Sequence, residues 1–234
     1  GARMNTPQQK VVLLHGNWRS SKSMFFIERY LRRRGYEVLN LDYPSTRLPL
    51  EALIETVHPR IAEFSNGATT HFVCHSMGGL VIRAYLSRHR PVGLGKVVML
   101  GTPNHGSEVA DFIKGWRAYR HCFGPAGQEV TPSQSAIAHL FSGVDYPLGI
   151  IAGDTSLDVV CKHIIGKPSD GKVSIESTKL EGMAAHCVVP VSHLMLTYSR
   201  RVNRLIAQFL AEGKFLRGRV DFKPSPLRER VAKP

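Results

Sequence analysis

A chain of 234 residues, 43% apolar and 21% charged, can bury one core and is too hydrophobic to stay disordered. No apolar run approaches the ~18 residues of a membrane span, and four cysteines without C-x-x-C pairing read as reduced thiols, not as a disulfide framework or a zinc site. The net charge of +13 raises a nucleic-acid partner, but the cations gather at predicted helix ends and in the tail without interleaved aromatics. A solvated basic surface is expected instead, with no nucleic acid bound and at most weak association with an anionic membrane.

Gly1 to Arg3 read as residues appended ahead of Met4, and the polar "MNTPQQK" carries no secretory signal, so cytoplasmic residence is expected. "KVVLLH" (10–15) reads as a buried strand and "SMFFIERYLRRRG" (23–35) as a helix closed by glycine. "YEVLNLDYP" (36–44) is the next strand, and "LEALIETVHPRIAEFSNG" (50–67) a helix with Pro59 as a kink. "THFVCH" (70–75) is a strand and "MGGLVIRAYLSRH" (77–89) a helix. Strands follow at 94–102, 146–154 and 185–193, and residues 194–213 close with a helix.

Strands that are continuous apolar runs, separated by helices, describe an α/β fold. Its mostly parallel sheet of about six strands is covered on both faces through right-handed crossovers. One domain is expected over 10–212, with a basic tail at 213–234. Residues 103–145 are too long for a plain crossover and contain helical pieces of their own. They are expected to form a small helical cap over the sheet's carboxyl edge.

The stretch "HFVCHSMGGLVIRAYL" runs from strand to helix across one serine. "CHSMG" (74–78) is G-x-S-x-G with its first glycine replaced by Cys74, and its strand-to-helix setting is the one in which such a serine is lifted clear of the backbone. Ser76 is the candidate nucleophile, and Cys74 reads as a buried, inert thiol. The N–H of Met77, next in the chain, is one candidate oxyanion donor. The loop "HGNW" (15–18) supplies the other, Asn17 first and Trp18 as alternate. A serine needs a base. His193 alone among eleven histidines follows the last strand, whereas the side chain of His75 is expected to point away from the reaction centre. Asp154, ending a strand, and Asp170, in "SDGKVSIEST", both keep the order Ser…Asp…His; Asp170 is favoured. Trp18, Phe112, Trp116 and Phe141 are candidates for the acyl pocket. His15 and His105 lie at the same edge.

With "VVLLHG", "HSMGGLV", "LGTPNHGS", "DGKVSIEST" and "VSHLMLTYS" in this order, the chain resembles the small bacterial lipases and esterases of the α/β-hydrolase superfamily over most of residues 10–212. The resemblance implies an α/β-hydrolase fold and a serine hydrolase of acyl esters, acting on small molecules or lipids without cofactor or metal. It strengthens Asp170, since such lipases carry an aspartate followed by glycine as the acid. Acyl transfer or thioester cleavage by the same residues, and a catalytically silent fold binding an anionic partner, are the rival readings.

Overall fold

Every strand that reads as an apolar run enters one parallel sheet, in the order β2-β1-β3-β4-β5-β6. The computed structural model describes residues 8–105, 141–157 and 159–216. Most of the expected cap (103–145), including Phe112 and Trp116, and the tail beyond residue 216 lie outside these residues. In chain order the elements are β1 (Lys10–Leu14), α1 (Phe25–Arg32), β2 (Glu37–Leu41), α2 (Leu50–Ser65), β3 (Thr70–His75), α3 (Met77–Arg88) and β4 (Leu94–Leu100). They continue with β5 (Leu148–Gly153), α4 (Val159–Ile165), α5 (Ile175–Thr178), β6 (Ala185–Val189) and α6 (Arg200–Glu212).

Side chains that alternate along a strand fill two cores. Val12, Leu14, Phe72, Cys74, Val97 and Met99 face α2 and α3. Their neighbours Val11, Leu13, Val73, Val98 and Leu100 face α1 and α6. A sheet buried on both faces therefore takes consecutive apolar residues in its inner strands, which is why they read as near-continuous runs.

The helices differ from the expected spans at their ends. A 3-10 turn, Ser21–Met24, precedes α1, and another, Met195–Thr197, precedes α6. Ser199 caps α6 by accepting the Val202 N–H, and that starts the helix later than its apolar periodicity suggests. Helix α2 runs unbroken through Pro59. Both Pro59 and Glu55, whose carbonyl loses its donor there, lie on the exposed face, where water can replace the missing bond. None of the described helices is long and apolar enough to cross a membrane.

His71 ties β3 to its surroundings as a neutral ring. Nδ1 accepts the Lys96 N–H at 2.8 Å, and Nε2 donates to Gln9 Oε1 at 2.9 Å. Burial pushes its pKa down to about 4, and the Lys96 cation adds to the shift. Because the unfolded chain would take up this proton near the ordinary value of 6.5, the folded state binds fewer protons between that pH and about 4. The stability that the neutral ring provides is complete above pH 6.5 and is lost as pH falls through this window. Its slope approaches about 1.4 kcal/mol per pH unit per histidine. Urea midpoints across the window should fall less steeply in His71→Asn, whose amide oxygen can replace Nδ1. Parallel slopes in the two proteins would remove His71 from the account.

Candidate active site

The chain leaves β1 toward β2 on one side and returns as β3 on the other, so the carboxyl ends of β1 and β3 flank a crevice. Ser76 stands at this edge, between β3 and α3, with φ 52° and ψ −124°. A non-glycine residue there is strained by roughly 1–3 kcal/mol. Its surroundings hold it in place. The Ser76 N–H donates to Leu100 O at 2.8 Å, while the Ser76 carbonyl accepts from Gly79 N at 3.0 Å and Thr102 Oγ1 at 2.9 Å.

Gly78 is required by close approach. A Cβ there would stand 2.5 Å from Leu14 O and 2.8 Å from His15 O, backbone atoms that cannot move without shifting β1. Cys74, two residues before the serine, is fully buried between Leu14 and Met99 of the adjoining strands. Burial raises its thiol pKa well above the ordinary value, which suits a structural thiol and not a nucleophile.

His193 follows β6 and presents Nε2 to Ser76 Oγ at 3.0 Å, with Nδ1 at 2.6 Å from Asp170 Oδ2. Its N–H donates to Asp170 O at 2.9 Å, so backbone and side chain both join the two loops. Asp170 is buried, and its other oxygen, Oδ1, accepts the N–H groups of Lys172 and Val173 at 3.0 and 2.9 Å. Asp154 is exposed and accepts from Thr155 Oγ1 at 3.2 Å. Of the two candidate acids, the structure brings Asp170 to the histidine.

Two supports escaped the sequence reading. Gly101, with φ 57°, lies against the ion pair, and a Cβ there would stand 2.9 Å from Asp170 Oδ2 and 3.2 Å from His193 Nδ1. The glycine in "LGTPNHGS" was the available signal. The second support is His75. Its ring does not point away, as expected, but lies 4.9 Å from the His193 ring, with Nε2 bonded to His193 O at 3.0 Å. The sequence carries no signal for that contact, which joins residues far apart in the chain. Burial drives the pKa of His75 well below 6.5, and the neighbouring His193 adds to the shift. The ring is therefore neutral and donates from Nε2 to hold the His193 backbone.

The "HGNW" loop is held from several sides. His15 is fully buried, donates from Nδ1 to Gly16 O at 2.8 Å and stacks on Tyr43, whose hydroxyl donates to His15 O. Burial lowers the pKa of His15. The Trp18 N–H donates to Asn17 Oδ1 at 3.2 Å. Met77 is the first residue of α3, where no intrahelical carbonyl reaches its N–H and the helix dipole favours an anion.

Trp18 lines an open groove of about 410 Å³ together with Arg19, Asp42, Tyr43, Pro44, Ser45, Thr46 and Arg47. Phe141 lies elsewhere. Its ring sits 4.1 Å beneath the Arg83 guanidinium and packs against the core beside α3. His105 is exposed, with its N–H on Ser177 O at 3.1 Å.

A six-stranded parallel sheet carrying serine, carboxylate and histidine in that chain order on its carboxyl edge has the architecture of an alpha/beta hydrolase. Residues 11–212 match the alpha/beta hydrolase family, and the chain belongs to it. The mature form of Bacillus licheniformis lipase BlEst2 superimposes with a TM-score of 0.69 at 20% identity, over 88% of this chain and 92% of that one. Phospholipase PlaB from Legionella pneumophila does so with a TM-score of 0.65 at 14% identity, over 80% of this chain and 54% of that one. Among curated proteins, human lysosomal thioesterase PPT2 is 27% identical over 197 residues, 70% of this chain and 64% of that protein. The Bos taurus protein of the same name is 30% identical over 136 residues, 51% of this chain and 44% of that protein. The chain thus spans about two thirds or less of the curated relatives it matches.

Proposed function

We propose that the protein hydrolyses acyl esters of small molecules or lipids, with Ser76 as nucleophile, His193 as base and Asp170 as the carboxylate that orients it. The observation that carries this reading is the unbroken line from Ser76 Oγ through both ring nitrogens of His193 to Asp170, at 3.0 and 2.6 Å. His193 Nε2 takes the hydroxyl proton as Oγ bonds to the acyl carbon and the carbonyl electrons move to oxygen. The N–H groups of Met77 and Asn17 hold that oxyanion; loss of one such donor typically costs about 2.7–4 kcal/mol in the barrier. Collapse breaks the bond to the leaving alkoxide, which receives the Nε2 proton. Water then attacks the acyl-serine, passing a proton to Nε2, and a second collapse releases the acid and returns the proton to Ser76. Water is the only co-reactant in this balance.

A second reading is favoured by the similarity to the thioesterase PPT2. A thiolate leaves without help from the protonated histidine, because free thiols ionise near pH ~8.5. The same residues would therefore serve an acyl thioester. We further propose a cytoplasmic setting, supported by the free thiols of Cys74 and Cys187.

The test is a series of p-nitrophenyl esters of increasing chain length, run beside thioesters of the same acids. Turnover of the esters, with kcat/KM depending on chain length, is expected. Turnover confined to the thioesters would transfer the assignment to the second reading.

A further inference from the structure

The apolar stripe of α1 is already satisfied by Ile27 and Leu31, and the segment after His193 commits Leu196 and Val202 to the same core. Both segments nevertheless carry large apolar side chains that the core does not use. Phe25 and Phe26 are 48% and 50% exposed, and Leu194, Met195 and Tyr198 are 51%, 46% and 40% exposed. Phe25, Phe26 and Tyr198 form one patch, and Leu194 and Met195 belong to the same turn as Tyr198. The Phe25 and Phe26 ring centroids are 5.6 Å apart, and Phe26 meets Tyr198 at 5.7 Å. Arg19 reaches across from the oxyanion loop, donating to Tyr198 OH at 3.0 Å with its guanidinium 5.6 Å from that ring. Leu194 directly follows His193, so the patch is a rim of the candidate active site. Scattered exposed apolar residues are ordinary, but a contiguous set beside a site marks an interaction surface.

The charges around the rim select the partner. Near the amino-terminal end of α1, Arg19, Lys22 and Arg29 face two carboxylates: Glu28, engaged by Arg32 at 3.0 Å and Asn40 at 2.7 Å, and Asp42, which accepts the Ser21 N–H at 3.2 Å. Residues 194–211 add Arg200, Arg201 and Arg204 and no acid. A second copy of this chain would bring like charges face to face. An anionic lipid surface offers phosphates to the cations and an apolar layer to the rings, and aromatic residues are favoured at that boundary.

We infer that this rim seats the protein on an anionic lipid surface, with Phe25, Phe26, Leu194, Met195 and Tyr198 entering the interfacial layer and the flanking cations on the headgroups. The docking does not depend on which acyl bond Ser76 attacks, and its test needs no turnover.

The full chain carrying Ser76→Ala, which leaves the lipid intact, is sedimented with vesicles of phosphatidylcholine alone or mixed with phosphatidylglycerol. Binding is expected to the mixed vesicles, weaker by about 10-fold or more to the neutral ones, and reduced by added salt. Adding Phe25→Ser and Phe26→Ser should lower binding to the mixed vesicles by about 10-fold or more, with an unchanged thermal midpoint. In a Ser76 background the same pair should leave hydrolysis of a short, water-soluble ester unaltered. Absence of binding overturns the inference, as does binding indifferent to the double replacement, which would assign it to the basic tail. So does concentration-dependent dimerisation that the double replacement abolishes, because the rim would then be an interface between copies.

Discussion

Replacing Ser76 by alanine is expected to lower kcat by about 10^6-fold, the scale on which serine hydrolases lose their nucleophile, while the fold persists. Alanine keeps the β-carbon and inherits the same backbone strain at φ 52°, so the elbow loses only Oγ. The Ser76 backbone bonds to Leu100, Gly79 and Thr102 are untouched by the change. Thermal midpoint and far-ultraviolet dichroism should therefore match the parent protein. Intact mass after treatment with a fluorophosphonate should show one adduct on the parent and none on Ser76→Ala. An adduct surviving on the variant would place the reactive nucleophile elsewhere. A folded parent that takes no adduct would favour the silent fold that binds an anionic partner.

The architecture was accessible from the sequence because burial on both faces favours consecutive apolar residues in the inner strands, as "VVLL" in β1 and "FVC" in β3. Element ends were less so. Short 3-10 turns at 21–24 and 195–197 depend on local hydrogen bonding that leaves little trace in apolar periodicity. At the site, the spacing around Ser76 signalled a turn because position 78 has no room for a Cβ against the Leu14 and His15 carbonyls, which leaves glycine. His193 was readable from its place after the last strand. The choice between Asp154 and Asp170 was harder, because both follow β5 and only the path of the intervening chain decides which carboxylate returns to the sheet edge. That path buries Asp170 on two backbone N–H groups and leaves Asp154 in solvent. His75 was misjudged for a related reason. In an ideal strand its side chain would face away from the next residue's, but the sharp turn at Ser76 and the loop after β6 bring His193 O within 3.0 Å of it.

The same geometry makes Asp170→Asn informative in a way that deletion of the carboxylate would not be. Asp170 Oδ1 accepts from Lys172 N and Val173 N, so in the asparagine variant that position must remain the amide oxygen. The amide NH2 then occupies the place of Oδ2 and faces His193 Nδ1, now 2.6 Å away from the carboxylate oxygen. A donor there requires Nδ1 to accept, which moves the ring proton to Nε2. A protonated Nε2 has no lone pair for the Ser76 hydroxyl, and the base is lost although every atom keeps its position. The expected fall in kcat is about 10^4-fold, with KM little changed, because the substitution acts on proton transfer and not on substrate binding. Asp154→Asn is the matched control, since it alters an exposed carboxylate bonded to Thr155, and its kcat should stay within about twofold of the parent. If Asp154→Asn instead carries the large loss and Asp170→Asn is nearly silent, the 2.6 Å pair is structural and the working acid is the other aspartate.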